Sequence, residues 1–175
     1  MVHLEHVAIE CDIDCPEHGR EHVSATLRFN HLVRPPFPSL GLRRERYSLA
    51  DMGIDIGATG TATLIVDATD TAIALGSGDV PVLATPRIVA LLEQAAVAAI
   101  ASSLGTDATS VGTHVAVDHL AASFLGASIE AVAEIVDVDG RSVSYRLVAT
   151  EGDRTIATGN HTRIVVDRER FLGTR

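Results

Sequence analysis

A single carboxylate interrupts the most apolar stretch of this chain. From Pro86 to Leu104, 13 of 19 residues are Ile, Val, Leu or Ala, and after Arg87 the only charge is Glu93. In a helix its neighbours three and four residues away are Val89, Ala90, Ala96 and Val97. A carboxylate on such a stripe is costly without a partner, and an acid tuned by burial and nearby charge suits general-base or nucleophilic work. A plain structural partner would also account for it. His119 closes the segment HVAVDH, where an imidazole serves as acid, base or hydrogen-bond donor, or simply faces solvent. Thr85 stands before Pro86 at the head of the apolar stretch. An N-cap followed by proline at the first helical position explains that threonine without any chemistry. The chain has no G-x-S-x-G elbow, and Cys11 and Cys15 fall outside its regular part.

The elements that must carry these residues are well marked. The apolar stretch reads as one long helix from Pro86 to Leu104, with Gly105 just past its end, apolar nearly all round and therefore expected inside the protein. If it is regular, eight residues separate Thr85 from Glu93 by about 12 Å along the axis, too far for a hydrogen bond. Either the helix begins later than Pro86, or the two meet across a dimer. Before it, residues 57–68 (GATGTATLIVDA) read as a strand, followed by a short helical turn at 70–75 and a glycine loop. Gly76-Ser77-Gly78 has neither the lysine of a phosphate-binding loop nor a dinucleotide spacing. After the helix come four strand-like segments, 110–118, 128–137, 142–150 and 155–166. Asp139-Gly140 and Glu151-Gly152-Asp153 supply hairpin turns between the last three. The class is α+β, an antiparallel sheet with a helix packed on one face. Pairing two copies through the sheet edges would protect them, so a homodimer is expected.

Bulk properties narrow the partners. The 175 residues fit one domain with a sizeable core, and at 3% aromatic content without Trp that core is built of Ala, Val, Ile and Leu. A net charge of −9 argues against nucleic acid. No uninterrupted apolar segment of about 18 residues indicates a membrane span, and the acidic N-terminus has no signal-peptide pattern. A soluble, cytoplasmic protein is expected. Residues 1–48 differ from the rest, holding five of eight histidines, both cysteines and four of six prolines. They read as a poorly ordered N-terminal extension or linker, with a short strand within 22–31, ahead of a domain at 49–175. The cysteine and histidine spacings fit no usual zinc pattern, so no metal site is expected there; no cofactor is expected either.

The segment from Gly78 to Leu172 resembles the hotdog-fold thioesterases of the fluoroacetyl-CoA thioesterase type. The resemblance is carried by Ala84-Thr85 before the helix, Glu93 in LLEQAA, Gly112-Thr113 and His119 in VGTHVAVDH, Asp139-Gly140-Arg141, Gly159-x-His161-x-Arg163 and Glu169-x-Phe171. It implies a hotdog fold, in which an antiparallel sheet wraps one long central helix, acting as a dimer with active sites at the subunit interface. It further implies hydrolysis of an acyl-CoA thioester to free acid and CoA. Glu93 would be nucleophile or general base, His119 would assist the leaving thiolate or the water, and Thr85 would orient the carboxylate. By the same resemblance the Gly112 backbone N–H would polarise the carbonyl, and Arg163 would make a supporting or CoA-side contact. Two positions depart from the family pattern: Gly78-Asp79-Val80-Pro81-Val82 replaces a phenylalanine-bearing lid, and Pro86 replaces a glycine. The competing reading from another class is a non-catalytic acyl-CoA-binding hotdog protein, since fold alone does not fix function. A hotdog hydratase lacks support, as no Asp/His hydratase signature is present.

Overall fold

The computed structural model describes residues 23–27 and 53–173. In chain order the elements are β1 (Val23–Leu27), β2 (Thr59–Ile65), a 3-10 turn at Ala68–Asp70, α1 (Thr85–Ile100), β3 (Ala108–His119), β4 (Ser128–Asp139), β5 (Ser142–Glu151), β6 (Arg154–Asp167) and α2 (Arg168–Gly173). The strands form one sheet in the order β1-β3-β6-β5-β4-β2, with every neighbouring pair antiparallel. β1 falls within the stretch expected to hold a short strand. The other expectations for 1–48, poor order and a cysteine and histidine spacing that fits no zinc site, lie outside the described residues.

The sheet follows from alternation and the helix from its buried stripe. Ala131, Ala133 and Ile135 on β4, and Val143, Tyr145, Leu147 and Ala149 on β5, occupy every second position and are buried. Against them pack Ile88, Leu91, Leu92, Ala95, Ala96, Ala99 and Ile100 of α1. Full burial of each Leu or Ile contributes roughly 1.5–3 kcal/mol. The alanines let helix and sheet approach closely. At Gly60 on β2 even a β-carbon would collide with the backbone of Ala95 and Ala99, so this position admits glycine alone. β4 and β5 are joined through Asp139-Gly140 as the sequence indicates, and Gly140 takes a φ of 57° to make the turn.

Three expectations about the helix change. Its N-cap is Ala84, with no side-chain cap, and Thr85 is already helical with Pro86 behind it; the threonine hydroxyl is committed elsewhere, as described below. The helix closes at Ile100 instead of continuing to Leu104, and its end tightens through Ala101 N–H to Ala98 O and Ser103 N–H to Ile100 O. It is also buried on one face only. The Glu93 side chain is 38% exposed and Val97 45% exposed, so the uniformly apolar composition leaves an apolar outer face instead of a buried cylinder. Among the described residues no helix is long and apolar enough to cross a membrane.

Candidate active site

Thr85 and His119 meet where the start of α1 passes the end of β3. The Thr85 Oγ1 lies 2.9 Å from Nδ1 of His119, whose Nε2 lies 3.0 Å from the carbonyl oxygen of Ala121. A carbonyl only accepts, so Nε2 carries the proton and Nδ1 accepts from the threonine hydroxyl. Burial pulls the His119 pKa down, opposed by its bond to Ala121, which keeps the ring neutral at pH 7. A hydroxyl directed at an unprotonated imidazole nitrogen is an arrangement that can activate or orient an oxygen nucleophile.

The surrounding backbone fixes this pair. Leu83 N–H donates to Ser123 O at 2.8 Å and Ala84 N–H to Asp70 O at 2.9 Å, tying the residues before Thr85 to two loops. Asp70 in turn holds Arg87, one helical turn ahead, in a salt bridge of 2.6 Å. The loop after His119 is anchored by Ser123 Oγ donating to Glu151 at 2.7 Å and by Arg154 donating to Ala122 O at 3.0 Å.

Glu93 sits elsewhere. Because α1 is continuous from Thr85, the carboxylate is two turns and about 12 Å further along. A later helix start is therefore excluded as a way of joining the two within one protomer. Glu93 Oε1 lies 3.4 Å from Arg163 Nη1 and 3.4 Å from His161 Nε2. It also stands over Gly112, where β3 carries a bulge against β6, with the register shifting between Gly112 and His114. Arg163 is 7% exposed and donates from Nε to Ser110 Oγ at 2.9 Å and from Nη2 to Ser110 O at 3.0 Å. An open groove of about 370 Å³, lined by Ala90, Glu93, Gln94, Val97 and Arg163, runs along this face of the helix.

The structure thus brings Thr85 to His119 and Glu93 to Gly112 and Arg163, as two half-sets on one protomer. Among the described residues no group of His, Cys, Asp and Glu is arranged to hold a metal ion.

Residues 66–169, more than half of the chain, match the family model of the fluoroacetyl-CoA-specific thioesterase. The chain belongs to the fluoroacetyl-CoA-specific thioesterase family. It is 39% identical over 90 residues to the fluoroacetyl-CoA thioesterase of Streptantibioticus cattleyicolor, a match covering 51% of this chain and 65% of that protein's length. A solved structure of the fluoroacetyl-CoA thioesterase FlK superposes with a TM-score of 0.65 at 33% identity, covering 69% of this chain and 94% of the other. A hot-dog-like protein from Thermanaerovibrio acidaminovorans, at 22% identity and a TM-score of 0.65 over 71% of this chain and 92% of its own, shares the fold. The hotdog architecture expected from the sequence is therefore the one observed.

Two residues of this thioesterase-family chain had no role assigned from sequence. His161 is 1% exposed and Tyr145 equally buried, their ring centroids 6.0 Å apart. His161 precedes Arg163 by two residues on β6, hence on the same face of the strand. That alternation was the available signal. Tyr145 gave none, being one apolar-facing residue among several on β5.

Proposed function

We propose that this protein is an acyl-CoA thioesterase working as a homodimer, each site joining Glu93 of one copy to the Thr85 and His119 pair of the other. The observation that carries the reading is the division of the reactive side chains. A hydroxyl and imidazole are bonded at one end of α1, and a carboxylate held by Arg163 opens on an uncovered apolar face two turns away. The relatives named for fluoroacetyl-CoA hydrolysis support the thioester class.

In this scheme Glu93 either attacks the thioester carbonyl carbon, giving an enzyme-bound anhydride that water then opens, or takes the proton from an attacking water. Both routes break the carbon–sulfur bond and release CoA thiolate and a carboxylic acid. The Thr85 hydroxyl, oriented by neutral His119, positions the attacking group. His119 assists through that hydroxyl: when Glu93 is the nucleophile, Thr85 passes its proton to Nδ1 as it receives one from the water. The Gly112 backbone N–H faces the developing oxyanion. The phenylalanine-bearing lid is replaced by residues 78–82, so the acyl group accepted need not be fluoroacetyl.

Thiol release from a panel of short-chain and aryl acyl-CoAs, with fluoroacetyl-CoA included, tests the activity. Tight binding with no turnover across the panel would instead establish a binding protein. The shared site has its own test. Thr85→Ala and Glu93→Gln homodimers should each be inactive, and mixing them under subunit exchange should restore about a quarter of wild-type activity, since half the dimers are then mixed and each holds one intact site. No recovery on mixing, with mixed dimers present, would overturn the shared site.

A further inference from the structure

The hydrogens of Arg163 are almost fully assigned. Nε–H goes to Ser110 Oγ and one Nη2 hydrogen to Ser110 O. Nη1 faces two acceptors at once, His161 Nε2 at 3.0 Å and Glu93 Oε1 at 3.4 Å. His161 reaches this position with its other nitrogen bound: Nδ1 lies 2.6 Å from the carbonyl oxygen of His114. Since that oxygen can only accept, Nδ1 holds the proton and Nε2 presents a lone pair. The imidazole and the carboxylate, 3.4 Å apart, would then set lone pair against lone pair. Only the Nη1 group, with one hydrogen for each, reconciles them.

We propose that His161 is a positioning residue for Glu93: its unprotonated Nε2 takes the inner Nη1 hydrogen of Arg163 and thereby turns the outer one to the carboxylate. Glu93 is held at the open end of this chain of contacts, His114 O to His161 to Arg163 to Glu93, while every other member is buried or is main chain. Tyr145 packs on the imidazole and completes its enclosure. Burial lowers the pKa of His161 and the charges of Arg163 and His114 act the same way, outweighing the hydrogen bond to the His114 carbonyl and the Glu93 carboxylate, which favour protonation. The neutral ring is thus the one the geometry requires. The fold matches this need, because the bulge after Gly112 carries His114 into register with Thr162, beside His161.

The inference rests on the role proposed for Glu93, and the experiment separates the two. Nitrogen-15 NMR of the intact protein at pH 7 reads the His161 tautomer without any substrate. Nδ1–H with a bare Nε2 is expected, and a protonated Nε2 would overturn the assignment. In parallel, kcat and KM are measured for His161→Leu, His161→Gln and Glu93→Gln with the panel acyl-CoA that the wild type turns over fastest. His161→Leu should lose about tenfold to a hundredfold in kcat with KM little changed. His161→Gln, whose amide oxygen replaces the Nε2 acceptor, should recover most of the loss, which a purely structural role would not give. Should His161→Leu fail to fold, the tautomer and the glutamine variant still decide. Wild-type kcat in His161→Leu beside an inactive Glu93→Gln would overturn the positioning role and leave the thioesterase reading standing. An active Glu93→Gln would remove both.

Discussion

A methyl group on Gly112 would lie 2.6 Å from Oε1 of Glu93. The carboxylate occupies the space a side chain would need, so the glycine is there for Glu93 and not for the backbone. Gly112→Ala must push the flexible end of Glu93 away from Arg163, at small cost to the fold because that end can move, although His161 Cε1 at 3.1 Å also has to give slightly. Thioester hydrolysis should fall about a hundredfold while the thermal midpoint changes little. A variant with full activity would mean that the position of this carboxylate is irrelevant to turnover.

Thr85→Ala separates capping from chemistry. As Ala84 is the cap, the substitution forfeits no capping bond and loses only the hydrogen bond to His119, about 1 kcal/mol of stability. Activity should drop at least about a hundredfold, and Thr85→Ser should keep a substantial part of it. A stability loss with activity intact would return Thr85 to the structural role its position beside proline first suggests.

Much of this was legible beforehand, and the exceptions have a common cause. The strands, the hairpin at Asp139-Gly140 and the long helix are written in local periodicity and turn chemistry, which act over a few residues. The Thr85 cap reading failed because the hydroxyl found a partner 34 residues away in sequence, and no local rule reports that. Likewise, the all-apolar helix left a face uncovered, because composition records hydrophobicity without saying which molecule covers it. Thr85, Glu93 and His119 could be picked out as reactive types. Their division into two sets needed the helix start to be known to the residue.

Acid should weaken the fold through two histidines. Burial holds His119 and His161 below the ordinary 6.5, against opposing hydrogen bonds to Ala121 and His114. On unfolding each returns to about 6.5. Just below that value the unfolded chain binds protons that the folded chain refuses, so stability rises with pH through this window and is lost on acidification below it. Urea midpoints followed from about pH 7.5 down to about pH 5 should decline, and less steeply in His161→Gln. A flat profile in the wild type would show that neither ring is held neutral by the fold.

The Tyr145 hydroxyl is buried without a hydrogen-bond partner among the described residues, and its pKa is raised to about 12, chiefly by burial. Removing an unsatisfied buried hydroxyl relieves its desolvation. Tyr145→Phe should therefore be neutral or stabilising by up to about 1 kcal/mol in chemical denaturation. A loss of more than that would point to a bonded partner for the hydroxyl.

The order of strands also governs how the chain can be made. β4, β5 and β6 are consecutive neighbours, closed by short turns, whereas β2 pairs with β4 across the whole of α1 and β3. Synthesis from the N-terminus therefore delivers β2 and α1 before β4, β5 and β6, the strands that complete their burial, and the loop between β2 and β4 must be closed late. The alanine-rich helix, marginal in isolation at this length, waits with β2 for the later strands that complete its cover. A chain truncated after Leu104 should show little helix by circular dichroism, and the β4–β6 meander is where native structure should first take hold.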